Sequence, residues 1–135
     1  MRLAVRKAAH VFERVGLALA GAACGLFVGA YVGAAIPVLT TQGFLLLMMI
    51  LGFVGFYLGI DTPQLPFDDA HSHIDAAEFL SAAGTLLATI TAFASVAIIV
   101  LRLEPHISYA WIMLCAWLAG VAMQITAGAK ARMRK

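Results

Sequence analysis

The stretch Val15-GLALAGAACGLFVGAYVGAAIPVLTTQGFLLLMMILGFVGFYLG-Ile60 decides the fold: it runs for 46 residues between Arg14 and Asp61 without a charged side chain. An α-helix needs about 20 residues to cross the hydrocarbon core of a bilayer, so the stretch holds two crossings with a break between them. The break falls at Ile36-PVLTTQ-Gly43, where proline, two threonines and a glycine interrupt the apolar run. Helices are predicted near 15–36 and 43–60.

Downstream, residues 79–101 form a second charge-free run and predict a third helix. Arg102-Leu-Glu-Pro-His106 reads as a tight polar turn, with Pro105 placed to open the next helix. A fourth helix is predicted over 107–127. Open strands are excluded because lipid offers no partner to unpaired backbone groups. The reading is an all-α integral membrane protein, a single membrane domain over 1–135: a four-transmembrane-helix bundle made of two helical hairpins, with a polar loop at 61–78.

Composition agrees. Of the 135 residues, 63% are hydrophobic and 12% charged, and the mean hydropathy is +0.96. Soluble domains carry about 25% charged residues, and a small globule has too little interior to hide so much apolar surface. Lipid is the expected partner. No basic stripe is interleaved with aromatics, so nucleic acid is not expected as one. Cys24 and Cys115 lie in apolar stretches at a spacing that matches neither a CxxC pair nor a zinc site; both read as small core residues.

Eight of the nine basic residues sit at the two ends: Arg2, Arg6, Lys7 and Arg14 before the first span, Lys130, Arg132, Arg134 and Lys135 after the last. An even number of spans puts both ends on one side, and the positive-inside rule makes that side cytoplasmic. The richness in alanine, with arginine exceeding lysine, points to a bacterial inner membrane. Residues 5–15 read as an amphipathic lead-in whose basic side chains rest on anionic headgroups.

Helix one carries Gly21, Gly25, Gly29 and Gly33 at four-residue spacing, and helix two carries Gly52, Gly55 and Gly59. Glycine faces let backbones approach closely, and in lipid van der Waals contact drives helix association where the hydrophobic effect cannot. These faces either pack the four helices together or leave a groove for a second copy or another membrane subunit. Helix three presents Ser81, Thr85, Thr89 and Ser95 in one small, hydroxylated sector, and helix four adds Gln124. Together they are the residues that could line a polar path. Tyr109 and Trp111, near the outer end of helix four, read as interfacial anchors.

The four spans contain no Asp, Glu, Lys, Arg or His. Intramembrane ionisable groups mark proton relays and ion pathways, so proton-coupled transport and intramembrane hydrolysis have no candidate residues. No base, nucleophile and orienting group converge, and an enzyme is not expected.

The 61–78 loop concentrates polar chemistry: five of the seven acidic residues and two of the four histidines. His71-Ser-His73 with Asp75 has the spacing of a metal-ligand run, and Asp68, Asp69 or Glu78 could complete a shell for zinc, nickel, copper or iron. The run resembles the HxHxDH of metallo-β-lactamases, but Ala76 replaces the closing histidine and the soluble chain that fold needs is missing. The same residues also serve as helix caps, with Asp75 and Glu78 spaced as a capping box, or as charge partners for the basic tails. No cofactor is expected; a divalent metal at this loop is the alternative to the capping and charge-pairing roles.

The preferred function is association, as a homo-oligomer or as an accessory subunit of a membrane complex. A channel or uncoupled transporter lined by the helix-three hydroxyls comes second, and a metal- or pH-responsive protein working through the loop third. The topology is directly testable. In a background lacking Cys24 and Cys115, single cysteines at Val38 or Glu104 are expected to react with an impermeant thiol reagent applied from outside, and cysteines at either terminus to be protected. Labelling of the termini from outside would reverse the orientation.

Overall fold

The computed structural model describes residues 2–59 and 76–133, with side chains from Ala8 onward. They form four α-helices and one short 3₁₀ turn: α1 Arg2–Ala35, the turn Pro37–Leu39, α2 Gln42–Gly59, α3 Ala76–Val100 and α4 Ile107–Met133. Each α-helix contains a stretch long and apolar enough to cross a bilayer, in α1 the part Ala8–Ala35. The protein is an all-helical membrane protein built as a four-helix bundle.

Three of the boundaries differ by three residues or more from those expected; α3 already includes Ala76, so Glu78, expected in the polar loop, lies inside the helix. The first helix begins at Arg2 rather than near residue 15, so the basic lead-in is continuous with the first span. Between residues 2 and 16 there is no proline or glycine to stop it, and helix propagation is favourable once a helix exists. The last helix likewise continues past residue 127 to Met133, where Lys130 and Arg132 suit the negative end of its dipole.

The breaks have identifiable causes. Pro37 cannot donate to α1 and opens the 3₁₀ turn. The Thr40 hydroxyl donates to the Gly33 carbonyl at 2.5 Å, and the Thr41 hydroxyl accepts the Phe44 N–H at 3.2 Å, capping α2. At the end of α3, Arg102 N–H donates to the Ile99 carbonyl and Leu103 N–H to the Ile98 carbonyl, the pair of bonds of a Schellman motif. That motif places Arg102 in the left-handed region at φ 51°. His106 then caps α4: its Nδ1 accepts the Ser108 N–H at 3.3 Å and its carbonyl the Tyr109 N–H at 2.9 Å.

α1 packs chiefly on α2, and α3 on α4, as two antiparallel hairpins. The hairpins join through α2 on α4 and α1 on α3, while α2 and α3 barely touch and lie diagonally opposed. The core runs between them and contains Val28, Val32, Met48, Phe56, Ala88, Leu114, Trp117 and Val121. Trp117 is wholly buried.

Glycine sets the spacing of this core. A methyl carbon placed on Gly21 would strike the Gly52 carbonyl oxygen and lie 2.6 Å from Phe56 Cβ. One on Gly25 would strike the Met48 carbonyl and lie 3.1 Å from Trp117 Cζ2. On the other hairpin, a methyl on Gly84 would lie 2.6 Å from the Gly120 carbonyl oxygen. By contrast, Gly16 and Gly43 face open space.

A graded response to alanine follows. Gly25→Ala and Gly52→Ala meet backbone that cannot move aside and should destabilise the bundle by about 1–3 kcal/mol each, as overpacked cores do. Gly29→Ala meets side-chain rather than backbone atoms, Leu45 Cδ2 and Met48 Cβ and Cγ at 3.2–3.4 Å, and should cost less. Gly16→Ala should stabilise α1 by up to about 1 kcal/mol through helix propensity. Unfolding of the four variants in one detergent checks the order; equal midpoints for Gly16→Ala and Gly25→Ala would remove the close-approach argument.

Candidate functional site

The glycines named from the sequence divide into three groups. Gly21, Gly25 and Gly29 of α1 lie against Gly52, Met48 and Leu45 of α2. Gly55 and Gly59 turn instead toward α4 and α3, where an added methyl would meet Val121, Gln124 or Ser81. Gly33 faces the 3₁₀ turn. The helix-one groove is thus covered from within the chain and is not open to a second copy. Gly128 was not foreseen: a methyl there would lie 2.7 Å from the Leu58 carbonyl oxygen, where α4 passes the end of α2.

The hydroxylated sector is only partly as expected. Ser81, Thr91 and Ser95 are buried, and Thr85 and Thr89 stand at the edge of the helix-three face. Thr85, Thr89, Thr91 and Ser95 each donate to the carbonyl four residues earlier, at 2.7–2.9 Å. That bond satisfies a hydroxyl inside its own helix, and it leaves these oxygens as acceptors only.

Ser81 behaves differently. Its hydroxyl donates across the bundle to the Gly59 carbonyl at 2.8 Å, closing one of the backbone acceptors that the end of α2 leaves open. Gln124 Nε2 donates to Thr85 Oγ1 at 2.8 Å. Because Thr85 already spends its proton on the Ser81 carbonyl, its oxygen can only accept, which fixes the orientation of the Gln124 amide. Ser81, Thr85 and Gln124 therefore form a polar seam joining α2, α3 and α4 in the half of the bundle nearest the termini.

Two buried polar atoms on α4 have no hydrogen-bond partner among the described residues: Gln124 Oε1 and Trp117 Nε1. Both belong to the helix-four face formed by Ala110, Leu114, Trp117, Val121, Gln124, Gly128 and Ala131, all buried and spaced alternately by four and three. Sequence reasoning noted Trp111 in this helix and missed Trp117. The heptad-like spacing of that face, read from Gln124 backwards, would have found it. Cys115 corrects another expectation: it is exposed, because it lies on the opposite side of α4 from this face, while Cys24 is half-buried.

Of the loop residues considered as metal ligands, His71, His73, Asp75, Asp68 and Asp69 lie outside the described residues. Glu78 stands in the first turn of α3, where a carboxylate suits the positive end of the helix dipole. Comparison of the chain with protein families, with curated proteins and with solved structures returns no match.

The seam can be tested by a double-mutant cycle. Thr85→Val should cost about 1–2 kcal/mol, since it leaves Gln124 Nε2 buried without an acceptor. Gln124→Leu removes an unpaired oxygen along with the bond and should be closer to neutral. In the double variant most of the Thr85→Val loss should disappear. Strictly additive losses in detergent unfolding would show that the bond does not form.

Proposed function

We propose that the protein acts by association within a bacterial inner membrane, as a homo-oligomer or as an accessory subunit of a membrane complex, with both termini cytoplasmic. The observation that carries the reading is the outward side of α4. Cys115, Ala119, Ala122, Thr126 and Ala129 are all exposed there, at spacings of four and three residues. Exposed Trp111, Ile112 and Leu118 flank this row on α4, while the outward sides of α2 and α3 carry bulky side chains such as Leu47, Ile50, Phe53, Leu86, Ile90 and Phe93. Small residues in such a row let a neighbouring helix approach to backbone distance, the usual basis of helix association in lipid. The Thr126 hydroxyl already bonds the Ala122 and Met123 carbonyls, so the face asks nothing polar of its partner.

Both tails carry basic clusters and lie at the same end of an even-numbered bundle, which supports the cytoplasmic placement of the termini. A channel lined by the α3 hydroxyls has less support. Four of those hydroxyls are bonded within their own helix, and Trp117 fills the centre of the bundle.

Cys115 makes the association face testable without new cysteines. If a second copy docks through α4 about a two-fold axis, mild oxidation of native membranes should yield a Cys115-dependent covalent dimer, lost in Cys115→Ser and retained in Cys24→Ser. If the partner is a different subunit, Ala122→Leu should abolish its co-purification while leaving the melting temperature within about 2 °C, a surface-substitution effect. A protein that neither cross-links nor loses any companion with Ala122→Leu does not associate through this face.

A further inference from the structure

At the end of the bundle away from the termini, a pocket of about 390 Å³ opens between the C-terminal ends of α1 and α3 and the turn into α4. Its wall is mainly apolar, formed by Tyr31, Ile98, Ile99 and Leu103, and two opposite charges, Arg102 and Glu104, stand on it. We propose that this pocket is a binding site for a zwitterionic aminophospholipid, with the lipid phosphate on Arg102, its ammonium on Glu104 and the upper part of an acyl chain against the α1/α3 wall.

Three observations carry the assignment. The first is placement. The pocket lies where α1 and α3 end, at Ala35 and Val100, which is the depth of headgroups for a bundle that spans the bilayer. Its wall continues along both helices toward the hydrocarbon core.

The second is charge. Arg102 and Glu104 stand two residues apart in the polar turn and line one pocket, yet neither has an ion pair or a side-chain hydrogen bond with any described residue. Arg102 is also the one basic residue of the sequence outside the terminal clusters. A guanidinium fork matches two phosphate oxygens, and a carboxylate accepts hydrogen bonds from a primary ammonium. A headgroup bearing both charges satisfies both side chains. An anionic headgroup without an ammonium would leave Glu104 beside negative charge.

The third is backbone. Arg102 holds the left-handed position of the Schellman motif, at φ 51°, which glycine takes far more readily. A cation suits the negative end of the α3 dipole from any position of its last turn, and a ligand for the guanidinium accounts for its standing at the left-handed one, in line with the tendency of strained positions to gather at binding sites.

The strain also supplies the test. Arg102→Gly removes the guanidinium and relieves the backbone, so the variant should melt at or above the wild-type temperature. The full chain, delipidated in detergent, would be titrated with phosphatidylethanolamine, phosphatidylcholine and phosphatidylglycerol of identical chains and read by native mass spectrometry. The wild type should prefer phosphatidylethanolamine over phosphatidylglycerol by about tenfold, the scale of one charge-assisted hydrogen bond. Phosphatidylcholine, whose ammonium cannot donate, should fall between them. Arg102→Gly should lose most phosphatidylethanolamine adducts, and Glu104→Gln should erase the preference mainly by raising phosphatidylglycerol binding. Equal retention of the three lipids by the wild type overturns the proposal, as does a folded Arg102→Gly protein with undiminished phosphatidylethanolamine adducts. Competition by chain-free glycerophosphoethanolamine as strong as by the lipid would overturn the acyl-chain part.

Discussion

The close approach of α1 to α2 is the contact on which the rest of the bundle depends. Backbone meets backbone at Gly21 with Gly52 and at Gly25 with the Met48 carbonyl, and the surface thus cleared of side chains receives the edge of the Trp117 indole from α4. In water such a contact would be one of many supported by burial. In lipid there is little gain from removing apolar surface from solvent, and stability comes from many dispersion contacts of about 0.1–0.2 kcal/mol each. Those contacts exist only while the helices stay in register. A large side chain at Trp117 and no side chain at Gly25 and Gly52 are two halves of one fit, and the second hairpin docks on the first through it.

Set against this apolar fit, the polar seam near the termini has a different role. Hydrogen bonds in lipid are directional where dispersion is not, and the bonds Ser81 to Gly59 and Gln124 to Thr85 tie three helices at one level of the bundle. Gln124 gains one bond, and among the described residues neither its Oε1 nor Trp117 Nε1, two turns away on the same helix, has a partner. A buried polar atom without a partner costs about 1–3 kcal/mol. The interior of α4 is therefore the least satisfied part of the described structure, although its packing is dense.

Much of the fold was legible because its signals are one-dimensional. Charge-free runs, the Pro37–Thr41 interruption and the turn at Arg102 each act where they stand in the chain, and the four helices and two hairpins follow from them. The start of α1 was not legible, because a polar lead-in with good helix propensity carries no stop and the sequence shows only where apolarity begins. The glycine rows were visible at four-residue spacing, but what faces each row was not: Gly21 and Gly55 look alike in sequence, and one meets α2 while the other meets α4. Trp111 and Trp117 make the same point. Six residues apart on one helix, one is exposed and the other buried, and only the phase of α4 against the first hairpin decides which. The Arg102–Glu104 pocket had no signal in sequence beyond a polar turn, since its wall comes from α1, some seventy residues earlier.

The helices are unequal in length. α2 has 18 residues and is about 27 Å long, whereas α3 has 25 and α4 has 27, or about 37 and 40 Å. A hydrocarbon core is about 30 Å thick, so the longer helices can meet it by tilting, whereas α2 has no length to give up within its described residues. The collar of lipid is then thinner along α2 than along α3 and α4. A body with such a lopsided fit deforms any bilayer it enters, least in a thin one.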